Sequence, residues 1–423
     1  MRSFASILRF LAPFLAPFLA AGCAAGAPPD PSSPSPAQSC SAHVVSNRVL
    51  QLEDWTVYIE PVQILRLDEG VLLAGTPNYV FRSDENGRVA NAVTDSLFGV
   101  VVEDGGAVRA IPMPPLEGGV RGIRVSRRPG GGWDAILTEM ATANPEEKTV
   151  RRVWHGVHDG AAWLSLDTLP LPRGSTFFPL NEPPLLRHGD TLAWAATHLA
   201  AGGWKHEPIV FTFDGERWIG EPVPTEVNVS YVALGLGPDG VEMAIVGSDL
   251  SDLGPGERDE NSLFLMRRTP DWTRSTRLVH GGRTPVHKPV FSGAGNDLSL
   301  TWEIIAGAEG QRVIQSVRSL ASSLNVGLSL PGSVFAVTDG IQGGSAWIVA
   351  EDAPGTNERL AIATWRRGEP VQVSHIVNPF DNFFVATSLS EADLLIFGPD
   401  FDGTPGAEAL RSRLLHVRLP CGA

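Results

Sequence analysis

Four groups of residues have the types and spacing for chemistry. Gly235-Leu236-Gly237-Pro238-Asp239-Gly240 has the spacing of a loop that brings backbone N–H groups against a pyrophosphate. That use requires a helix to follow, because its N-terminus receives the phosphate charge. Val241–Val246 follows instead, an apolar run that reads as a strand, so a hairpin turn is expected. His155-Gly156-Val157-His158-Asp159 groups three side chains able to ligate a metal. No further His or Cys is paired with it in sequence, and no metal is expected there. Asp400-Phe401-Asp402-Gly403-Thr404 spaces its carboxylates as an oxygen-lined calcium loop does, with Thr404 in place of a third acid. Asp-Gly is also ordinary turn chemistry, so no cofactor is expected and calcium is the one candidate. The fourth group is the acids at large, since any two on facing loops could cleave a glycosidic bond. HExxH, CxxC, GxSxG and phosphate-loop motifs are absent.

The elements that would position these groups recur. Ile209–Trp218, IVFTFDGERW, is an apolar strand, an Asp-Gly turn and a second strand beginning near a Trp. Versions of it stand at Arg152–Trp163, Leu263–Trp272, Leu360–Val371 and, more loosely, Tyr79–Val89. Trp163 to Trp218 is 55 residues and Trp218 to Trp272 is 54. A fixed period of strand hairpins marks a repeat architecture. From Cys40 to Cys421 there are 381 positions, so seven units would average about 54. The expected fold is all-β, a single β-propeller of seven four-stranded blades, with six or eight left open.

The expected blades are Val62–Val93, Arg121–Leu166, Leu185–Gly220, Ser230–Arg277, His287–Leu324, Ser333–Val373 and Val385–Arg418. The last shows only three strands, and His43–Leu50 is a spare N-terminal strand that would complete it and close the ring. Runs such as Met243–Val246 and Leu394–Phe397 are apolar on both faces, as expected where each sheet is covered by a neighbour on either side. The 11 Trp read as packing between blades. Leu97–Ile111 looks like an additional hairpin. Val313–Leu324 has apolar residues at helical spacing although its place in the repeat says strand, and Asn144–Glu147 could start a short helix.

Up-and-down topology sorts the loops. Turns between strands one and two, and between three and four, lie at one end of every blade. Turns between two and three, and the crossings between blades, lie at the other. The short Asp-Gly hairpins at Asp159 and Asp214 fall at the first end. The long connections Ala141–Lys148, Ala200–Pro208, Ser248–Asn261, Glu351–Arg359 and Gly398–Ala409 fall at the second, with Pro-rich crossings such as Thr284–Pro289. They carry Glu146, Glu147, Asp249, Asp252, Glu257, Asp259, Asp352, Asp400 and Asp402. Loops gathered on a rigid face are where binding sits, so an acidic face suited to cations or a basic partner is expected. Net charge is −14, which excludes nucleic acid as a partner.

The first 39 residues read as an address. Met1–Arg9 carries Arg2 and Arg9 and no acid, and Phe10–Ala21 is apolar but short for a spanning helix. Leu19-Ala20-Ala21-Gly22-Cys23 resembles the bacterial lipobox, with Ala20 where that family usually has Leu. The resemblance implies a signal peptide over residues 1–22, cleavage before Cys23, and diacylglycerol and palmitate-type acylation on it. It also implies the outer membrane of a Gram-negative bacterium, since Ala24 rather than Asp follows the Cys. Two or three buried chains anchor stably. Residues 23–39 are Pro- and Ser-rich and read as an extended tether to a domain spanning 40–423. Cys40 and Cys421 remain, and in an exported chain whose ends meet in a ring they are expected to form a disulfide.

Over roughly Ala42–Pro420 the chain resembles bacterial sialidase-like propellers with BNR repeats. Thr212–Trp218 and Val157–Trp163 keep the Asp, Gly and aromatic of their Asp-box with one residue missing. A sialidase would need an Arg cluster, an acid and a Tyr nucleophile, and Tyr58, Tyr79 and Tyr231 lie in no recognisable motif. The expected function is therefore a monomeric, lipid-anchored propeller that binds a protein or glycan through its long-loop face without catalysis. The alternatives are a glycoside hydrolase on the same fold, marked by converging carboxylates, and a calcium-stabilised adhesin-like propeller.

Overall fold

A computed structural model describes residues 42–52, 55–83, 89–93, 97–140, 150–172, 176–178, 184–199, 203, 205–238, 240–249, 261–268, 271–273, 276–279, 285–306, 311–318, 326–332, 334–341, 344–351, 359–365, 371–380, 384–400 and 411–419. Apart from a 3-10 turn at Gly295–Asp297, every regular element among them is a strand. No helix among the described residues is long and apolar enough to cross a membrane.

The strands form seven antiparallel sheets. Blade one holds Trp55–Arg66, Gly70–Ser83, Leu97–Glu103 and Val108–Pro112. Blade two holds Val120–Arg127, Trp133–Met140, Val150–His158 and Trp163–Thr168. In blade three the first strand is split into Thr176–Phe178 and Leu186–His188, both paired with Thr191–Leu199, and His206–Phe213 and Trp218–Pro222 follow. Blade four holds Val227–Gly237, Gly240–Asp249, Ser262–Arg267 and Thr276–Val279. Blade five holds Val286–Ser292, Ser299–Ala306, Gln311–Arg318 and Val326–Pro331. Blade six holds Val334–Ile341, Gly344–Ala350, Arg359–Trp365 and Gln372–Val377. Blade seven holds Val385–Ser390, Asp393–Asp400 and Arg411–Arg418, completed by His43–Val49.

The first strand of each blade touches the first strands of both neighbours, from blade one through blade seven and back to blade one. The first strands therefore line the axis of a closed seven-bladed propeller. Closure is antiparallel, with His43 opposite Arg418 and Val49 opposite Arg413. Arg413 Nη1 also donates to Asn47 Oδ1 at 2.9 Å. Ala42 and Leu419 lie buried in the same apolar cluster. Cys40 and Cys421 lie outside the described residues, among which there is no disulfide.

Two expectations about blades are corrected. The sequence suggests Val89–Val93 as the fourth strand of blade one and Leu97–Ile111 as an extra hairpin, but their roles are reversed. The second strand, with 14 residues, is longer than a blade needs. Its first half pairs Gly70–Ala74 with Gly99–Glu103, and its second half pairs Tyr79–Ser83 with Val89–Val93. The Tyr79–Val89 hairpin is thus an extension, and the blade count is unchanged. In blade five the fourth strand lies beyond Leu324. The helix-like spacing of Val313–Leu324 belongs to the strand Gln311–Arg318, where Ile314 and Val317 are buried on opposite faces. Asn144–Glu147 lies outside the described residues.

The core is a set of seven apolar clusters, each formed between two adjacent blades. Side chains alternate across a strand, so one strand feeds two clusters. Leu394 and Ile396 face blade six, whereas Leu395 and Phe397 face blade one. Four fully buried Trp, at 133, 194, 302 and 347, stand on second strands. The recurring Asp-Gly turns have one physical cause. Asp159 Oδ1 accepts from the N–H groups of Ala161 and Ala162, and Asp214 Oδ1 from those of Glu216 and Arg217. These donors hold both carboxyls below the usual carboxylate range. Gly160 and Gly215 both take φ of 103°, which favours glycine. The Trp after each turn reaches back to the preceding blade. Trp163 Nε1 donates to the Pro112 carbonyl at 2.9 Å and its ring meets Phe98 edge-on, and Trp218 packs against His155.

His158 is stacked on Trp133 at 4.0 Å and meets Trp163 edge-on. Burial pushes its pKa down to about 4, against a smaller opposing pull from Asp159. The unfolded chain therefore binds this proton more readily than the folded one. Its contribution to stability is complete above about pH 6.5 and is lost as the pH falls toward 4. Denaturant titrations over this range should show a slope in which His158→Gln lowers the dependence by up to about 1.4 kcal/mol per pH unit. An unchanged slope in the variant would show that His158 is not held neutral by the fold.

Candidate functional site

The structure disperses the sequence's candidates. Gly235 and Gly237 end a first strand that returns directly as Gly240–Asp249, so no helix follows. A Cβ on Gly235 would lie 2.7 Å from Phe291 Cγ, because the ring from blade five rests on that backbone. The glycine spacing serves blade packing. His155 and His158 also part company. His155 Nε2 bonds Asp134 Oδ1 at 2.7 Å, both residues buried, and Arg187 of blade three pairs with the same carboxylate. His158 sits in its Trp sandwich, and Asp159 holds its own turn. Among the described residues no three His, Cys, Asp or Glu gather as a metal site.

Of the acids expected on the long-loop face, Asp249 and Asp400 end second strands there, opposite Val227 and Arg411. Glu146, Glu147, Asp252, Glu257, Asp259, Asp352 and Asp402 lie outside the described residues, as does Cys23. Tyr58 and Tyr79 are register partners in blade one, far in sequence from the third tyrosine.

That third tyrosine belongs to a cluster that no motif announces. Tyr231 lies on the first strand of blade four, and His287 and Lys288 lie on the first strand of blade five. Both strands border the axis and begin at the long-loop face. The Tyr231 hydroxyl lies 3.4 Å from His287 Nδ1, with the two rings perpendicular and 5.7 Å apart. His287 is directly opposite Glu303 in register. Glu303 is opposite Ile314, so Arg312, two residues earlier on the same strand, is its diagonal neighbour. Arg312 Nη1 meets Glu303 Oε1 at 3.2 Å.

Lys288 should by alternation point away from Glu303. A bulge between His287 and Val290 redirects it, and Lys288 takes φ of 47°, the only non-glycine residue at positive φ among those described. Its Nζ then reaches Glu303 Oε2 at 3.3 Å. A second bulge, between Val229 and Tyr231, adjusts the facing strand. Such outliers cluster where surrounding structure holds a functional arrangement.

The electrostatics follow from burial. Glu303 is 2% exposed, while the side chains of Lys288 and Arg312 are 48% and 44% exposed. Burial holds the His287 pKa below its ordinary value, with Glu303 opposing and Lys288 and Arg312 adding to the shift. Burial also raises the Tyr231 pKa, helped by Glu303. At neutral pH the pair is a neutral phenol beside a neutral imidazole, and in the Nε2–H tautomer the phenol donates to Nδ1. The site offers hydrogen bonds, two ring edges and two half-exposed cations around one buried carboxylate. One legible signal was Glu303 itself, an acid inside the apolar run Ser299–Ala306.

No family model matches this chain, and no curated protein matches it. Solved structures do. The polysaccharide lyase Uly1 aligns with a TM-score of 0.51 at 10% identity, over 85% of this chain and 90% of that one. BBS1N, solved in complex with ARL6DN, aligns at 0.47 and 11% identity over 91% and 99%. A mutant Trypanosoma rangeli sialidase displaying trans-sialidase activity aligns at 0.41 and 12% identity. That alignment covers 76% of this chain and 56% of the sialidase, so the chain spans little more than half of that protein's length. The seven sheets closed in a ring make this chain a seven-bladed β-propeller, and at 10% identity the likeness to Uly1 concerns the fold alone.

Glu303 is the hub of the cluster. Glu303→Gln leaves Lys288 and Arg312 without their shared carboxylate and should cost about 1.5–3 kcal/mol in chemical denaturation. Lys288→Gln, which leaves the Glu303–Arg312 pair in place, should cost less than half as much. Equal costs would show that Glu303 is not the organising group.

Proposed function

We propose that this chain is an envelope-anchored propeller that binds a saccharide ligand, without turning it over, at the axial mouth between blades four and five. The observation that supports this reading is the Tyr231–His287 pair on two first strands that border the axis, set beside half-exposed Lys288 on the same strand as His287 and half-exposed Arg312 on the third strand of blade five. Neutral hydroxyl and imidazole groups suit sugar hydroxyls, and their ring edges add apolar contact. The glycoside hydrolase alternative needs two carboxylates flanking a bond. The cluster contributes one, Glu303, and it is already engaged by two cations. Glu257 and Asp259, on the connection between Asp249 and Asn261, are the acids best placed in sequence to supply a second.

The test is binding of an oligosaccharide panel to the full chain in detergent, by calorimetry, with product analysis. The expected result is saturable binding, no new reducing or unsaturated ends, and at least tenfold weaker binding in Tyr231→Ala. Release of shorter products, abolished by Glu303→Gln or Glu257→Gln, would overturn the binding-only reading in favour of an enzyme.

The Cys23 lipobox and the Pro-rich segment after it support a lipoprotein tethered to the outer membrane. The pairing of His43 with Arg418 supports a Cys40–Cys421 disulfide that locks the ring. In a Gram-negative host, labelled palmitate should enter the wild type and be lost in Cys23→Ser, which should leave the membrane fraction. Thiol alkylation before and after reduction should release two thiols, from Cys40 and Cys421. Label retained in Cys23→Ser, or free Cys40 and Cys421 without reduction, would refute the respective claim.

A further inference from the structure

We infer that the mouth between blades four and five selects an anionic ligand, one carrying a carboxylate or sulfate group, and that Lys288 and Arg312 receive that group. The inference rests on the mouth being the ligand seat and specifies its chemistry.

Three observations carry it. The first is charge. Two cations share one carboxylate, and burial keeps His287 neutral at neutral pH, so the cluster carries a local charge of +1 within a chain of −14. The second is access. Glu303 is buried at 2% exposure, but the side chains of the two cations paired with it are each nearly half exposed, so the negative partner is shielded from solvent and the positive side chains are not. A buried carboxylate placed this way orients the cations without competing for the outer side of each. The third is construction. Lys288 reaches Glu303 only through a bulge and a left-handed backbone, a conformation that an ordinary salt bridge does not require. Lysine is also scarce in this chain, occurring at positions 148, 205 and 288, whereas its other basic residues are Arg.

The chemistry divides naturally. Arg312 presents a planar fork suited to two oxygens of one oxyanion, and Lys288 presents a mobile point charge. The Tyr231 hydroxyl and His287 Nε2–H would then meet neutral hydroxyls beside the charged group. A sugar acid and a sugar sulfate share this pattern. Most of the acids expected on the long-loop face lie outside the described residues, and Asp249 and Asp400 end second strands there. The cluster of Lys288, Arg312 and Glu303 carries the opposite sign.

The experiment uses the full chain in detergent at low ionic strength, with sodium glucuronate, inorganic sulfate and glucose as probes. Binding is read by calorimetry, and displacement by the oligosaccharides that bind. The inference predicts saturable glucuronate binding that weakens as salt is raised and that glucose does not compete. Lys288→Met and Arg312→Met should each weaken it at least tenfold, and Arg312→Lys should restore part of the loss. Circular dichroism melts confirm folding, and Lys205→Met serves as a charge-matched control expected to bind as the wild type. If sulfate competes with glucuronate, oxyanion recognition is general, and if it does not, carboxylate is the specific group; both support the inference. Binding of neutral oligosaccharides that Tyr231→Ala abolishes but Lys288→Met and Arg312→Met leave unchanged would overturn the anion inference while leaving the mouth as the seat. Ligand binding unaffected by all of these variants would overturn the mouth itself.

Discussion

The structure depends on the need of each blade to cover two apolar faces. A single four-stranded sheet whose strands are apolar on both sides cannot satisfy both alone. Its neighbours do so, and the requirement passes from blade to blade until the last meets the first. The seven interblade clusters are the direct result. Nothing in such a chain of contacts can terminate without exposing a face, so the ring must close. His43–Val49 supplies the fourth strand of the last blade from the opposite end of the sequence, which covers that blade's third strand and couples the two termini.

Smaller devices keep the blades in place around the ring. The Asp-Gly turn aims its carboxylate at its own backbone, and the Trp that follows is carried back onto the preceding blade. This explains why a pattern resembling an Asp-box recurs without implying catalysis, since its polar atoms are consumed by the turn. The same holds for Gly235, whose lack of a side chain is used by Phe291. Buried charge at Asp134 is likewise spent on joining blades two and three through His155 and Arg187. The pairing rules are broken where blades four and five meet: one bulge precedes Tyr231 and another follows His287, and Lys288 is carried onto Glu303.

Much of the architecture was legible in the sequence. The spacing of Trp163, Trp218 and Trp272 set the period, the apolar runs declared sheets covered on both faces, and the surplus strand at His43 indicated how the ring closes. These features are local, repeated and periodic, so they survive reading one residue at a time. Blade one resisted because its second strand pairs with two different partners along its length, and length alone does not reveal which hairpin continues the blade. Of the site, only Glu303 was legible, as an acid inside an apolar run. His287, Glu303 and Arg312 are joined by register within blade five and Tyr231 by packing from blade four, and neither the register nor the packing leaves a composition signal. Sequence thus determined that these strands form a closed ring of blades, because hydrophobic periodicity is a local property. Only the tertiary structure decided which polar side chains meet at its axis, because that depends on how the pleats of neighbouring blades are offset.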